Sequence, residues 1–209
     1  MELFFAVLAS LFSVVNPMGA VPVFLAMTPN YTVQERTKAA MHTSLWFVVI
    51  LSVFFFAGTS ILSFFGISLN AMRIAGGLVI LSSGYALLSG KFAESRAINK
   101  KVKEEALEKH DISFSPMAMP MLAGPGSISL LIGLYAQHDL WSERFMIAGV
   151  ILLTGLIIYS ILRSSRYLYK ILGEAGIKAM TRIMGFLVMA IGIQYIMVGV
   201  VDLVQILTT

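Results

Sequence analysis

The sequence predicts an all-α membrane protein with six transmembrane helices set out as a 3+3 inverted repeat, the first and fourth helices being broken in mid-membrane. Three observations lead there. The 209 residues are 58% hydrophobic and only 12% charged, with a mean hydropathy of +0.87, whereas a soluble domain carries ~25% charge. Long uncharged runs recur, each able to supply the ~20 apolar residues that cross a bilayer. Two of these runs hold proline and glycine in their middles: Asn16-Pro17-Met18-Gly19-Ala20-Val21-Pro22-Val23-Phe24, and Pro116-Met117-Ala118-Met119-Pro120-Met121-Leu122-Ala123-Gly124-Pro125-Gly126-Ser127.

In chain order, the first span covers residues 3–27, with its break at 16–22. Proline removes a backbone donor and clashes with the preceding turn, and asparagine prefers caps to helix interiors. The chain opens Met1-Glu2 with no basic region ahead of the apolar run, so this span is expected to be retained and not cleaved as a signal. A polar loop is expected over 28–42, holding Glu35, Arg36 and Lys38. The uncharged run 43–72 is too long for one span, and Gly66-Ile67-Ser68 offers a turn. Hence the second span is placed at 43–65 and the third at 69–90. Residues 91–111 mix six basic residues with five acids and read as a solvated cytoplasmic linker. The fourth span covers 114–137, the fifth lies between Arg144 and Arg163, and the sixth covers 182–202, after a basic loop with Arg166, Lys170 and Lys178. In domain terms, 1–90 is the first three-helix repeat, 91–113 the linker and 114–209 the second, inverted repeat.

Of the 15 Lys and Arg, all but Arg73 and Arg144 fall in the loops joining spans one to two, three to four and five to six. The positive-inside rule sets that face in the cytoplasm, so both termini lie outside it and the bilayer is the surrounding partner. With its basic residues confined to loops, the net charge of +4 does not point to nucleic acid. The absence of cysteine excludes disulfides and thiol chemistry.

Spans three and six resemble each other. Arg73-Ile74-Ala75-Gly76-Gly77-Leu78-Val79 and Arg182-Ile183-Met184-Gly185-Phe186-Leu187-Val188 lie 109 residues apart. At that spacing Gly76, Ser83 and Gly90 fall on Gly185, Gly192 and Gly199, two stripes of small residues of the kind that let membrane helices approach closely. The broken stretches match at 108, Asn16-Pro17-Met18-Gly19 falling on Gly124-Pro125-Gly126-Ser127. Spans two and five show no convincing match. Three spans per half force the second half to be inverted, and in that plan paired broken helices mark a midplane binding site.

The chemistry open to such a site is narrow. His42, His110 and His138 sit at or beyond span ends, as do Glu2 and Asp202. No carboxylate is placed as a proton relay, no cluster is placed to hold a metal, and no base reaches Ser127. The expectation is a protein that is not an enzyme and needs no cofactor. Half-helix N-termini suit a carboxylate, and unwound carbonyls and half-helix C-termini suit an ammonium group. Asn16, Ser127 and Gln194 add neutral hydrogen-bonding groups, Gln194 being equally readable as glue between helices. Dipoles of both signs without fixed charge favour a small zwitterion, because a ligand of net charge wants a counter-charge in so dry a place. Arg73 and Arg182, which open their spans, read as snorkelling anchors.

These stretches carry a family resemblance. Asn16-Pro17-x-Gly19-x-x-Pro22-Val23-Phe24 resembles a signature of the MarC family of bacterial and archaeal inner-membrane proteins. So do Phe65-Gly66-Ile67-Ser68, Arg73-Ile74-Ala75-Gly76-Gly77, Pro120-x-x-Ala123-Gly124-Pro125-Gly126-x-Ile128 and Thr181-Arg182-Ile183-Met184-Gly185. The resemblance covers all but the 91–111 stretch. It implies a transporter of small neutral amino acids such as alanine, glycine or serine, often acting as an exporter. The substrate site it implies is Asn16, Pro17, Gly19, Gly124, Pro125, Gly126 and Ser127. Two alternatives stay open. One is a partner or assembly factor of the envelope whose breaks are filled by protein, and the other is a passive channel, which wants a more polar lining than these helices show. An open pocket at the breaks favours transport, and breaks buried against other helices favour the partner. A homo-oligomer is left open.

Overall fold

The computed structural model describes residues 1–90 and 111–208. Among these the chain is helical throughout, with five helices long and apolar enough to cross a membrane, and a sixth when one bent pair is counted as a span.

The first span is α1 (Glu2–Val15) followed by α2 (Pro17–Met27). Its break is one residue, Asn16, in the left-handed conformation (φ 47°, ψ 64°). That is narrower than the expected 16–22. Pro17 stands at the first position of α2, where its missing N–H costs nothing, and Pro22 is carried inside the helix. α3 runs from Val33 to Phe64, starting ten residues before the expected 43. The reason is a capping box: Glu35 accepts from the Thr32 N–H at 2.8 Å, and Thr32 Oγ1 accepts from the Glu35 N–H at 3.3 Å. Two orphan donors are satisfied reciprocally, so Glu35, Arg36 and Lys38 belong to a helix and the connection shrinks to 28–32. The turn at 66–68 is as read, with Gly66 at φ 66° and the Ser68 hydroxyl capping α4 (Leu69–Leu88).

The linker expected at 91–111 lies outside the described residues, apart from Asp111. The fourth span opens with a wide-turn segment, Ser113–Leu122, whose turns close by five-residue hydrogen bonds, Met117 N–H to Ile112 O and Ala123 N–H to Ala118 O. Ser115 and Met119 are extended within it, as residues before proline tend to be. After Ala123 and Gly124, α5 (Pro125–Gln137) leaves at 63° to the wide-turn segment. α6 covers Trp141–Arg163. α7 covers Ser165–Thr208 and turns at Gly173, where φ is 63° and ψ is 178°. The expected basic loop before residue 182 is therefore helical, and Arg166, Lys170 and Lys178 lie on α7.

The most extensive packing joins α4 and α7, and glycine makes it. A Cβ on Gly84 would lie 2.8 Å from Gly185 O, one on Gly192 2.9 Å from Gly77 O, and one on Gly199 3.1 Å from Asn70 O. Residue numbers rise on one helix as they fall on the other, so the pair is antiparallel. The stripe on α4 is thus Gly77 and Gly84, one residue along from the expected Gly76, Ser83 and Gly90. Gly76 instead faces Ser129 of α5, whose Oγ would lie 1.6 Å from its Cβ. α3 and α6 form a second pair, tied by the Ser44 hydroxyl donating to Gly155 O at 2.6 Å. The broken spans cross over: α1 and α2 pack on α6 and α7, and α5 packs on α3 and α4.

Candidate functional site

The two breaks meet. A Cβ on Gly126, at the start of α5, would lie 3.5 Å from Val14 at the end of α1 and 3.1 Å from Ile80 of α4. Asn16, Pro17, Gly19, Gly124, Gly126 and Ser127 are all buried, Pro125 alone of the seven being exposed. Asn16 is 1% exposed. Its N–H closes α1 on Phe12 O at 2.9 Å, its carbonyl accepts from the Gly19 N–H at 3.1 Å, and its Oδ1 receives the same N–H at 3.4 Å. Its Nδ2 is buried with no hydrogen-bond partner. A buried donor left unpaired costs about 1–3 kcal/mol. This amide is thus an unpaired donor at the first break, two residues along from the Val14 that meets Gly126.

The second break is partly self-satisfied. The Ser127 hydroxyl donates to Gly124 O at 2.9 Å, with Leu122 O at 3.4 Å, and the Ile128 N–H binds Gly124 O at 3.1 Å. Ser127 therefore offers a ligand a lone pair and no free proton. α5 has no side-chain cap at its N-terminus. The meeting point thus gathers a spare amide N–H₂ and the starts of two half-helices, all donor-rich and partially positive.

Gln194 does not join this group: it is exposed beside Ile193 and Met197 on the outer face of α7. Its neighbour Tyr195 is the inward residue, 8% exposed, its hydroxyl placed against Ser129 O at 3.1 Å and Leu130 O at 3.0 Å. The spacing from Gly192 signals this, because a residue three positions along shares its face. Arg73 is no snorkelling anchor. It is 5% exposed and pairs with Asp202 at 2.5 Å, joining the start of α4 to the end of α7. Arg182, by contrast, is exposed.

Two arginines were hidden in what read as loops. Arg36 is 5% exposed. Its Nε donates to Thr28 Oγ1 at 3.1 Å, and its second nitrogen to Thr28 O at 2.5 Å and Tyr31 O at 3.5 Å. Thr28 in turn donates to Phe24 O at 2.8 Å. Arg144 Nε donates to His138 O at 2.8 Å, while its second nitrogen reaches Tyr135 O at 3.4 Å and Asp139 at 3.3 Å. Its guanidinium lies 4.0 Å from the centre of the Tyr135 ring. Arg36 thus holds the end of α2 and Arg144 the end of α5, each as a cation on a helix C-terminus.

A family model described as "MarC family integral membrane protein" matches residues 1–204. The chain is 36% identical over 197 residues to the UPF0056 membrane protein YhcE of Escherichia coli K12, covering 94% of this chain and 91% of that one. It is 37% identical over 200 residues to the UPF0056 membrane protein MJ1677 of Methanocaldococcus jannaschii, covering 96% and 97%. It is 32% identical over 210 residues to the UPF0056 inner membrane protein MarC of Escherichia coli O1:K1, covering 95% and 94%. No solved structure matches it.

Proposed function

The chain belongs to the MarC family of integral membrane proteins, and from that premise we propose that it transports small neutral amino acids such as alanine, glycine or serine. The proposed direction is export, by alternating access around a midplane site between the two broken spans. One observation carries the reading: the Asn16 Nδ2, buried and unpartnered, where the breaks meet. A carboxylate there would take up the spare amide and face two half-helix N-termini. The ligand's ammonium group would turn to carbonyls of the wide-turn segment, and the absence of fixed charge among the break residues fits a ligand without net charge. The proposed binding set is Asn16, Pro17, Gly19, Gly124, Gly126 and Ser127.

The 3+3 inverted repeat is part of the same proposal. It is supported by the antiparallel α4–α7 seam, by the crossed packing of the broken spans, and by a spacing of 108 that relates Asn16-Pro17 to Gly124-Pro125 and also Glu35-Arg36 to Glu143-Arg144. Spans two and five, which show no match as apolar sequence, share the Glu-Arg pair in the first turn of their helices. By the positive-inside rule the 28–32 connection faces the cytoplasm and both termini face away from it.

A second reading has an observation of its own. The second break is buried against Val14 and Ile80, as suits a partner or assembly factor whose helices fill their own gaps. Counterflow of radiolabelled alanine in proteoliposomes, with glycine and lysine as competitors, separates the two. Saturable counterflow blocked by glycine and not by lysine upholds transport. Folded protein with no counterflow of any neutral amino acid overturns it and leaves the partner reading.

A further inference from the structure

Arg36, buried, and Arg144, half-buried, share more than their spacing. Each is the fourth residue of its helix, α3 or α6. Each follows a glutamate that closes the same connection, Glu35 on Thr32 and Glu143 on His138 at 2.9 Å. Each grips the carbonyl end of a half-helix whose other end begins at a break with proline in first position, Pro17 or Pro125. The half-helices occupy opposite halves of the bundle. α5 lies towards the end where α3 finishes and α4 starts: its Ser129 meets Met72, and its Ile132 lies under Gly58. α2 lies towards the other end, because Thr28 is held by Arg36 at the start of α3.

We propose that Arg36 and Arg144 are positioning residues, each the latch of a separate gate, α2 closing the site towards the 28–32 face and α5 closing it towards the 138–140 face. This rests on the transport reading and adds its moving parts. Each half-helix has a hinge at its break, Asn16 in left-handed backbone or the Ala123-Gly124 corner, and an arginine that fastens its far end, α5 being held further along by the Tyr195 hydroxyl at Ser129 O and Leu130 O. Releasing the fastening frees the half-helix to swing about the hinge, on one face only. A guanidinium fork suits the task because it spans two acceptors at once, which an ammonium does not. The connections of 28–32 and 138–140 are short, so the latch and not a long loop sets how far each half-helix travels.

The absence of cysteine makes the test direct. Ala20→Cys in α2 and Ala123→Cys at the second break, both at fully buried positions, report access to a membrane-impermeant maleimide added from one side of sealed vesicles. With both latches intact the reporters label slowly from either side. Arg36→Gln is expected to speed labelling of the α2 reporter from the 28–32 face on the order of tenfold, the worth of a hydrogen bond to a charged group. Arg144→Gln is expected to do the same for the other reporter from the 138–140 face. Lysine at either position is expected to restore the slow rate only in part. Should the glutamine variants fail to fold, Thr28→Ala and Tyr135→Leu weaken the same latches from the partner side, with the same sidedness expected. Unchanged labelling, or a rise from both faces together, overturns the proposal, the latter because general loosening has no side. No substrate is used. Sided labelling without counterflow would keep the gates and discard the amino acid, while counterflow without sided labelling would discard the latches alone.

Discussion

Asn16 holds three duties that substitution can separate. Its backbone is left-handed, its Oδ1 caps α2, and its Nδ2 is spare. Asn16→Gly keeps the backbone at a cost of a few tenths of a kcal/mol for the cap but removes the amide. It is expected to melt within a few degrees of the parent while losing alanine counterflow. Asn16→Ala adds left-handed strain of about 1–2 kcal/mol and is expected to lower the melting temperature as well. Parent-like counterflow in the glycine variant would take the ligand away from this amide. At the membrane edge, burial pushes the Asp111 carboxyl up, but the Ser113 bonds, one of them from its N–H at 2.9 Å, and the charges of His42 and Lys38 outweigh it and hold the group below the usual carboxylate range. A depressed folded-state value contributes stability above the unfolded aspartate value of ~3.9 and loses it as pH falls through the folded one. Acid melts of the parent and Asp111→Asn should therefore differ at neutral pH and converge below that range. The break at Asn16 was legible in the sequence because an amide followed by proline and glycine interrupts an otherwise uncharged helical run. Tyr195 was not, because an apolar helix face shows its inward side only once its glycines are placed.

Helix limits were legible where polarity changes with structure and illegible where it does not. α4 starts at its expected place and ends within two residues of it because Gly66 and Gly90, both at positive φ, bound the helix. α3 begins ten residues early because Thr32 and Glu35 form a cap out of residues that look like loop, and the charge of Arg36 gave no hint that carbonyls absorb it. The glycine seam was legible as a seam but off by one in register on α4, since Gly76 and Gly77 are adjacent and only the partner helix chooses between them. The seam makes a sharp stability prediction. A Cβ on Gly192 would meet Leu81 N at 2.7 Å and Gly77 O at 2.9 Å, backbone atoms with no rotamer to escape into. Gly192→Ala should cost about 1–3 kcal/mol. Gly149→Ala, which meets nothing within 4 Å, should be neutral or stabilise by up to ~1 kcal/mol. Thermal melts in one detergent decide both.

The spans before and after residues 91–110 interlock. Because each broken span rests on the unbroken spans of the opposite half, neither half has a closed interior of its own. Residues 1–90 and 111–209, produced as separate chains in one cell, are expected to co-purify through a tag on either, and each alone to be degraded. Recovery of one half as a stable protein would contradict the crossed packing. The seam also has a consequence for how the protein is made. Gly77 and Gly84 enter the bilayer long before the backbone that covers them exists. About a hundred residues separate Gly84 from Gly185, roughly 5–20 s of ribosomal synthesis. For that interval the glycine face of α4 meets lipid instead of protein. The nascent chain waits in the membrane with its tightest joint open, and residues 185–199, made near the end, close it.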